Sequence, residues 1–310
     1  MSAIIDNNLQ PIRAYFKPGI KEVVMNKPGE VLIEDSKGKW TIKKDKNLNY
    51  TWFKSMAGIM ASSTGQKFNS GTQILSFKLP EGHRVQIIHG IATKHKFLLS
   101  IRLFRGLIFD IDDYQISQED KENIIKAVKN RHNLLISGGT GTGKTSFLNT
   151  LINNYVESDS RIITIEGVPE LIIKSHKNLA PFYYQENQNN QGQESNETTD
   201  AANLLNAALR MRPDRIILGE LRKENCFIFT RAINTGHEGS MATIHANSPK
   251  NAICAIKENV ILNGDAVSGA IDILDQQLRR NIHGVIQLTR IEGGKVKGEF
   301  GAINQKNQSQ

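Results

Sequence analysis

The run Gly138-Gly139-Thr140-Gly141-Thr142-Gly143-Lys144-Thr145 reads G-x-x-x-x-G-K-T, the residue types and spacing that hold a triphosphate. Glycines let the main chain wrap closely enough for its N–H groups to point at phosphate oxygens, and a following helix N-terminus adds favourable partial charge. In such a loop Lys144 reaches the β- and γ-phosphates and the Thr145 hydroxyl ligates Mg²⁺, with Ser146 beside it. The apolar run Leu134-Leu135-Ile136 precedes the loop, and Ser146-Phe147-Leu148-Asn149 follows it. A strand before and a helix after separate a phosphate site from a chance glycine-rich turn. The reading is a nucleoside-triphosphate site.

Three later segments add candidate chemistry. Ile162-Ile163-Thr164-Ile165 reads as a strand ending at Glu166, followed by Gly167-Val168-Pro169-Glu170. Open α/β sheets bind ligands at the carboxyl ends of their strands, so Glu166 could orient the attacking water or accept its proton. The plainer alternative is a surface acid. Arg215-Ile216-Ile217-Leu218 leads to Gly219-Glu220, a second acidic strand end, where Glu220 would hold Mg²⁺ through water or position the nucleophile. Arg210, Arg212, Arg215 and Arg222 crowd this segment, as candidates for phosphate charge or as members of ion pairs. The turn Thr235-Gly236-His237-Glu238-Gly239-Ser240 then feeds a strand ending at His245, which could hydrogen-bond a γ-phosphate.

Positioning these groups requires an alternating fold. From Asn133 onward compact apolar runs alternate with helical segments, predicting an open α/β sheet with helices on both faces. The first hundred residues predict a separate mixed α/β domain. Its strands are expected at 22–26 and 31–34 around Lys27-Pro28-Gly29, then at Ile74–Leu79, Arg84–His89 and Phe97–Arg102, with a helix over Trp52–Ser62. Domain boundaries are expected at 1–106, a linker at 107–117, the α/β domain at 118–303, and a frayed tail at 304–310. Ser117 should cap a helix with acids first and bases last. Residues 185–199 are too polar to fold by themselves.

Charge is uneven. Residues 1–110 hold 17 Lys+Arg against 8 Asp+Glu, whereas residues 111–310 hold 22 against 23. The basic third could serve an anionic membrane surface, nucleic acid or an acidic partner, or be a solvated face. It has no base-reading signature and no aromatic series for single strands. No stretch reaches the roughly 18 apolar residues of a membrane span, and Met1 to Gln10 has no signal-peptide pattern. Two isolated cysteines, Cys226 and Cys254, make neither a disulfide framework nor a zinc site, so a reducing cytoplasm is expected.

With the loop, the segments 208–222 and 235–249 resemble the secretion ATPase superfamily, which includes type IV secretion, type II secretion and type IV pilus motors. The resemblance is strongest to the traffic ATPase of bacterial type IV secretion systems and covers essentially the whole chain. It implies a RecA-like P-loop ATPase domain with a smaller N-terminal α/β domain covering the nucleotide. Catalytic roles fall by resemblance on Lys144, Glu166, Glu220 and His245, with ATP and Mg²⁺ as cofactors and Thr145 and Glu220 as the metal's partners. Arg84 and Arg102 best match the family's N-terminal phosphate-binding arginines, with Arg105 as a fallback.

The resemblance further implies a homo-hexamer beside inner-membrane components of a secretion system. It places the ring in the cytoplasm at the inner membrane face, in peripheral contact with anionic membrane and without sequence-specific nucleic-acid binding. Two positions depart from the pattern: Gly167 replaces the usual second acid, and Lys223 a common glycine. A type IV pilus or type II secretion motor is the alternative; the missing four-cysteine insert speaks against type II. An idle scaffold should have lost Lys144, Thr145 or Glu220, and all three are present.

Overall fold

A computed structural model describes residues 3–69, 73–79, 81–104, 106–184, 200–265 and 268–303. Arg105, the polar stretch 185–199 and the tail 304–310 lie outside the described residues. The chain divides into two compact units, Met1–Arg105 and Gly106–Gln310.

The first unit comprises α1 (Ala3–Arg13), β1 (Ile20–Lys27), β2 (Glu30–Asp35), β3 (Trp40–Lys44), α2 (Tyr50–Ser63), β4 (Ile74–Lys78), β5 (Arg84–His89) and β6 (Phe97–Arg102). Its strands pair antiparallel in the order β3-β2-β1-β6-β5-β4. Period-two alternation sorts the two faces. Val23, Ile33, Leu75, Val85, Ile87 and Ile101 enter a core with Leu9 and Ile12 of α1 and Phe53 and Met56 of α2. The Trp52 indole N–H donates to the Asn8 carbonyl at 2.8 Å and ties α2 to α1. On the opposite face, Glu22, Arg102, Arg84 and Lys78 stand in register across four adjacent strands.

The second unit contains α3 (Gln118–Lys129), β7 (Leu134–Gly138), α4 (Lys144–Tyr155), β8 (Ile162–Glu166), β9 (Leu179–Tyr183), α5 (Ala201–Ala208) and β10 (Arg215–Leu218). It continues with α6 (Lys223–Asn234), β11 (Met241–Ile244), α7 (Pro249–Leu262), α8 (Ile271–Asn281), β12 (Gly284–Arg290) and β13 (Val296–Ala302). The sheet order is β13-β12-β7-β11-β10-β8-β9, parallel except for the β12–β13 pair. Strands covered on both faces read as unbroken apolar runs, as these do. Leu135, Ile163, Ile165, Ile216 and Leu218 enter a core with α5 to α8. Leu134, Ile136, Ile162 and Ile217 enter a second core with α3 and α4.

Ile111, Tyr114 and Ile116, from the stretch expected to link two domains, are buried in this second core. The Thr150 hydroxyl also donates to the Phe109 carbonyl at 2.9 Å. Those residues pack as part of the second unit, because three large apolar side chains outweigh the acidic run 110–113 around them. Ser117 caps α3, its hydroxyl accepting from the Asp120 N–H at 3.1 Å.

Candidate functional site

β7 ends at Gly138 and the chain turns through Gly139 to Gly143 before α4 starts at Lys144. Gly138 is irreplaceable for steric reasons: a Cβ there would stand 2.6 Å from Thr142 Oγ1 and 2.7 Å from the Leu288 carbonyl oxygen. Gly143, the N-cap of α4, has φ +86°, the left-handed region that glycine adopts without strain. The Thr142 hydroxyl donates to the Gly139 carbonyl at 2.9 Å and closes the loop on itself.

Lys144 is only 8% exposed. Its ammonium donates to the carbonyls of Gly138 and Gly139, each at 3.0 Å, and to His245 Nδ1 at 3.2 Å. Burial lowers its pKa from the ordinary lysine value, while Glu220 and Glu170 pull it back up. Thr145 and Ser146 follow in the first turn, both half-buried.

The strand order explains which of the distant residues meet. β7, β11, β10 and β8 are consecutive neighbours in the sheet, so Gly138, His245, Glu220 and Glu166 stand side by side at the carboxyl ends. From Lys144 the bonds run on: His245 Nε2 lies 2.7 Å from Glu220 Oε1, and Glu220 Oε2 accepts from Arg222 Nε at 2.8 Å. An ammonium on Nδ1 and a carboxylate on Nε2 set the tautomer, with the proton on Nε2. Burial first, then the Lys144 charge, hold the His245 pKa below its ordinary value, so the ring is neutral at pH 7. Asn225 fixes this end of β10 by donating from its side chain to the Glu220 carbonyl at 2.9 Å.

Glu166 is placed at the same edge but in a different condition. It is 3% exposed, and Oε1 accepts the N–H groups of Glu170 at 2.7 Å and Leu171 at 2.9 Å. It is therefore neither a surface acid nor an open carboxylate; it shapes the turn that follows β8. Gly219 permits this, since a Cβ there would stand 3.1 Å from Glu166 Cγ.

Of the arginines crowded around β10, only Arg222 lies at this end. Arg210 and Arg212 precede the strand and are exposed. Arg215 opens it and is fully buried, with Nη2 donating to the Val128 carbonyl at 3.0 Å and to Glu157 Oε2 at 2.7 Å. A parallel sheet presents one end of each strand to its ligand, and Arg215 sits at the other. Its Nε and Nη1 have no hydrogen-bond partner among the described residues.

A mixed, mainly parallel sheet with a glycine loop, a buried lysine and an aligned acid–histidine pair defines a P-loop nucleoside triphosphatase with a RecA-like motor unit. The family model for "Type II/IV secretion system protein" matches residues 6–301. The type IV secretion system protein VirB11 of Bartonella quintana is 30% identical, over 96% of this chain and 91% of the relative. The crystal structure of the VirB11 ATPase of Brucella suis, in complex with sulphate, is 26% identical with a TM-score of 0.50, covering 97% of this chain and 98% of that one. The pilus retraction motor PilT with bound ADP shares the fold, at 19% identity and a TM-score of 0.67, over 96% of this chain and 83% of that one. The chain belongs to the type II/IV secretion system protein family.

Proposed function

We propose that this protein is the ATP-hydrolysing motor of a bacterial type IV secretion system, driving substrate translocation or pilus assembly through domain motions in a hexameric ring. The observation that carries the reading is the bonded line Lys144–His245–Glu220 beside the phosphate loop. Relatives named for type IV secretion support the system.

The chemistry follows from the residues. Lys144 would leave the Gly138 and Gly139 carbonyls for the β- and γ-phosphate oxygens, where its charge offsets the charge that builds on the leaving group in the transition state. The His245 Nε2–H donates a hydrogen bond to Glu220 Oε1 and aims that carboxylate. Arg222 grips the other oxygen at 2.7 Å through Nη2. Among the described residues no cluster of three His, Cys, Asp or Glu side chains could hold a metal. Mg²⁺ suits what remains, because it binds through one or two protein oxygens completed by phosphates and water. Thr145 and Glu220 would supply them. When bound, the ion neutralises charge on the β- and γ-phosphate oxygens.

Arg84 and Arg102 join this reading as anion-binding residues. They stand directly opposite one another on β5 and β6, in a row that also carries Glu22 and Lys78. Among the described residues no helix is long and apolar enough to cross a membrane. Association with inner-membrane components from the cytoplasmic side would then be peripheral.

The test is ATP turnover by purified protein with and without Lys144→Ala, together with light-scattering mass in ATP and in its absence. Turnover should vanish in the variant and the wild-type mass should correspond to a hexamer with ATP. Full turnover by Lys144→Ala overturns the site, and a monomer under all conditions overturns the ring.

A further inference from the structure

β3 forms one edge of the first unit's sheet and pairs with β2 alone. Two bonds show which of its backbone groups that pairing uses. The Asp35 N–H donates to the Lys39 carbonyl at 3.0 Å, and the Asp45 N–H to the Gly29 carbonyl at 2.9 Å. An antiparallel ladder bonds alternate residues, so Lys39, Thr41 and Lys43 turn their peptide groups to β2. Trp40, Ile42 and Lys44 turn theirs outward, where another strand can pair with them.

The side chains divide with the same period. Trp40, Ile42 and Lys44 share one face of the strand, and Lys39, Thr41 and Lys43 share the other. Lysines on an edge keep sheets from pairing at random, but large apolar side chains there do the opposite. Trp40 is 46% exposed and Ile42 59%. Residues 36–46 hold five lysines against one acid. Among the described residues none of Lys37, Lys39, Lys43, Lys44 and Lys46 forms a salt bridge. The acids nearby are committed elsewhere. Asp35 Oδ1 accepts the Lys37 and Lys39 N–H groups at 2.8 and 2.9 Å, and Asp45 Oδ2 accepts the Tyr15 hydroxyl at 2.8 Å. Glu30, opposite Lys44, pairs with Lys27 at 3.0 Å, and Glu34 stands opposite Trp40.

We propose that β3 is a docking edge that takes an acidic, extended segment of another protein as a further strand of this sheet. The segment alternates apolar and acidic residues. Its apolar side chains lie beside Trp40 and Ile42, its carboxylates beside Lys39 and Lys43, and its backbone bonds the outward groups of 40, 42 and 44. A basic segment is repelled by the same lysines, and a second copy of β3 brings five more of them. An anionic membrane would suit the lysines and the indole. It would leave the outward peptide groups unpaired wherever the strand entered hydrocarbon, so the edge fits a peptide better.

The experiment measures anisotropy of the fluorescein-labelled peptide Asp-Val-Glu-Ile-Glu-Val-Asp with the full-length protein. Asp-Glu-Val-Ile-Val-Glu-Asp has the same composition without the alternation, and Lys-Val-Lys-Ile-Lys-Val-Lys has the opposite charge. The first peptide should bind, less tightly as salt rises, and the other two at least about tenfold more weakly. Lys39→Glu/Lys43→Glu should reverse the preference between the acidic and basic alternating peptides. Ile42→Pro removes an outward N–H without touching the bonds to β2, and should bind at least about fivefold more weakly than Ile42→Ala, which keeps that N–H. Circular dichroism checks that these exposed-strand variants stay folded. No binding at about 1 mM peptide overturns the inference. Equal binding of the non-alternating peptide overturns it too, since charge alone would then suffice. So does a protein that ignores the peptides but sediments with phosphatidylserine vesicles unless Trp40 is alanine. A light-scattering mass that doubles with concentration, and stays single in Ile42→Pro, gives the edge to a second copy and equally overturns the proposal.

Discussion

Replacing Arg215 by methionine should leave the fold about as stable as before, although it removes a fully buried charge and its ion pair. Two bonds are lost, both from Nη2. The one to Glu157 reaches a carboxylate 40% exposed, so solvent screening leaves it worth about 1 kcal/mol or less. The one to the Val128 carbonyl is worth about 1.5–3 kcal/mol as a charged hydrogen bond. That carbonyl keeps a partner, because the Arg131 N–H also donates to it at 3.2 Å.

Against these losses stand Nε and Nη1, buried with no hydrogen-bond partner among the described residues, at a cost of about 1–3 kcal/mol each. Methionine discards both unpaired groups while its flexible stem fills much of the same volume. The net change expected is within about 1 kcal/mol of zero. Arg215→Ala discards them too but opens a cavity, and should cost about 2–5 kcal/mol. Urea denaturation followed by circular dichroism measures both; tryptophan emission does not serve, since Trp40 and Trp52 lie in the first unit. A methionine variant destabilised by 3 kcal/mol or more refutes the reasoning, for it would mean that Nε and Nη1 are satisfied.

Gly138→Ala should abolish nucleotide binding, read by a fluorescent ATP analogue, since the new methyl would meet the Leu288 main chain at 2.7 Å. Glu220→Gln should retain ATP but hydrolyse it at least about 100-fold more slowly; rapid single-turnover release of phosphate would count against it. Stability should fall with acid. His83, His132, His176, His245 and His283 all have pKa values lowered chiefly by burial. The unfolded chain therefore binds more protons than the fold below about pH 6.5. Their contribution is complete above that pH and is lost as pH drops through the folded-state values. Urea midpoints that stay level from about pH 7.5 to 5.5 would contradict this.

Much of the site could be read from the chain because its parts are local. The phosphate loop is eight consecutive residues, and each candidate acid or histidine ends a short apolar run. Parallel strands in a doubly covered sheet convert those run-ends into neighbours, which is why Glu220 and His245 meet Lys144. Where reading failed, linear distance stood in for spatial distance. Arg215 and Glu220 are five residues apart, but a strand lies between them and carries them to opposite ends of the sheet. The burial of Glu166 was invisible because its partners are main-chain N–H groups, which any sequence supplies. α1, β3, β9, β12 and β13 were not recognised; β3 is exposed at all of its positions, and β9 contains a proline, so neither of those two shows the usual apolar signal. The bonds from Asn149 and Asn153 of α4 to the backbone of 170–174 did leave a trace. Asn149 and Asn153 are poor helix formers on one face of a helix, and such residues seek backbone partners.

These bonds also give α4 a mechanical character. A lone helix of 12 residues, about 18 Å long, can fray or bend between its ends. This one carries an extended chain bonded along its flank, from Asn149 to the His176–Glu157 contact beyond its last turn. Helix and bonded chain together form a braced rod with the phosphate loop at one tip and the Glu157–Arg215 ion pair at the other.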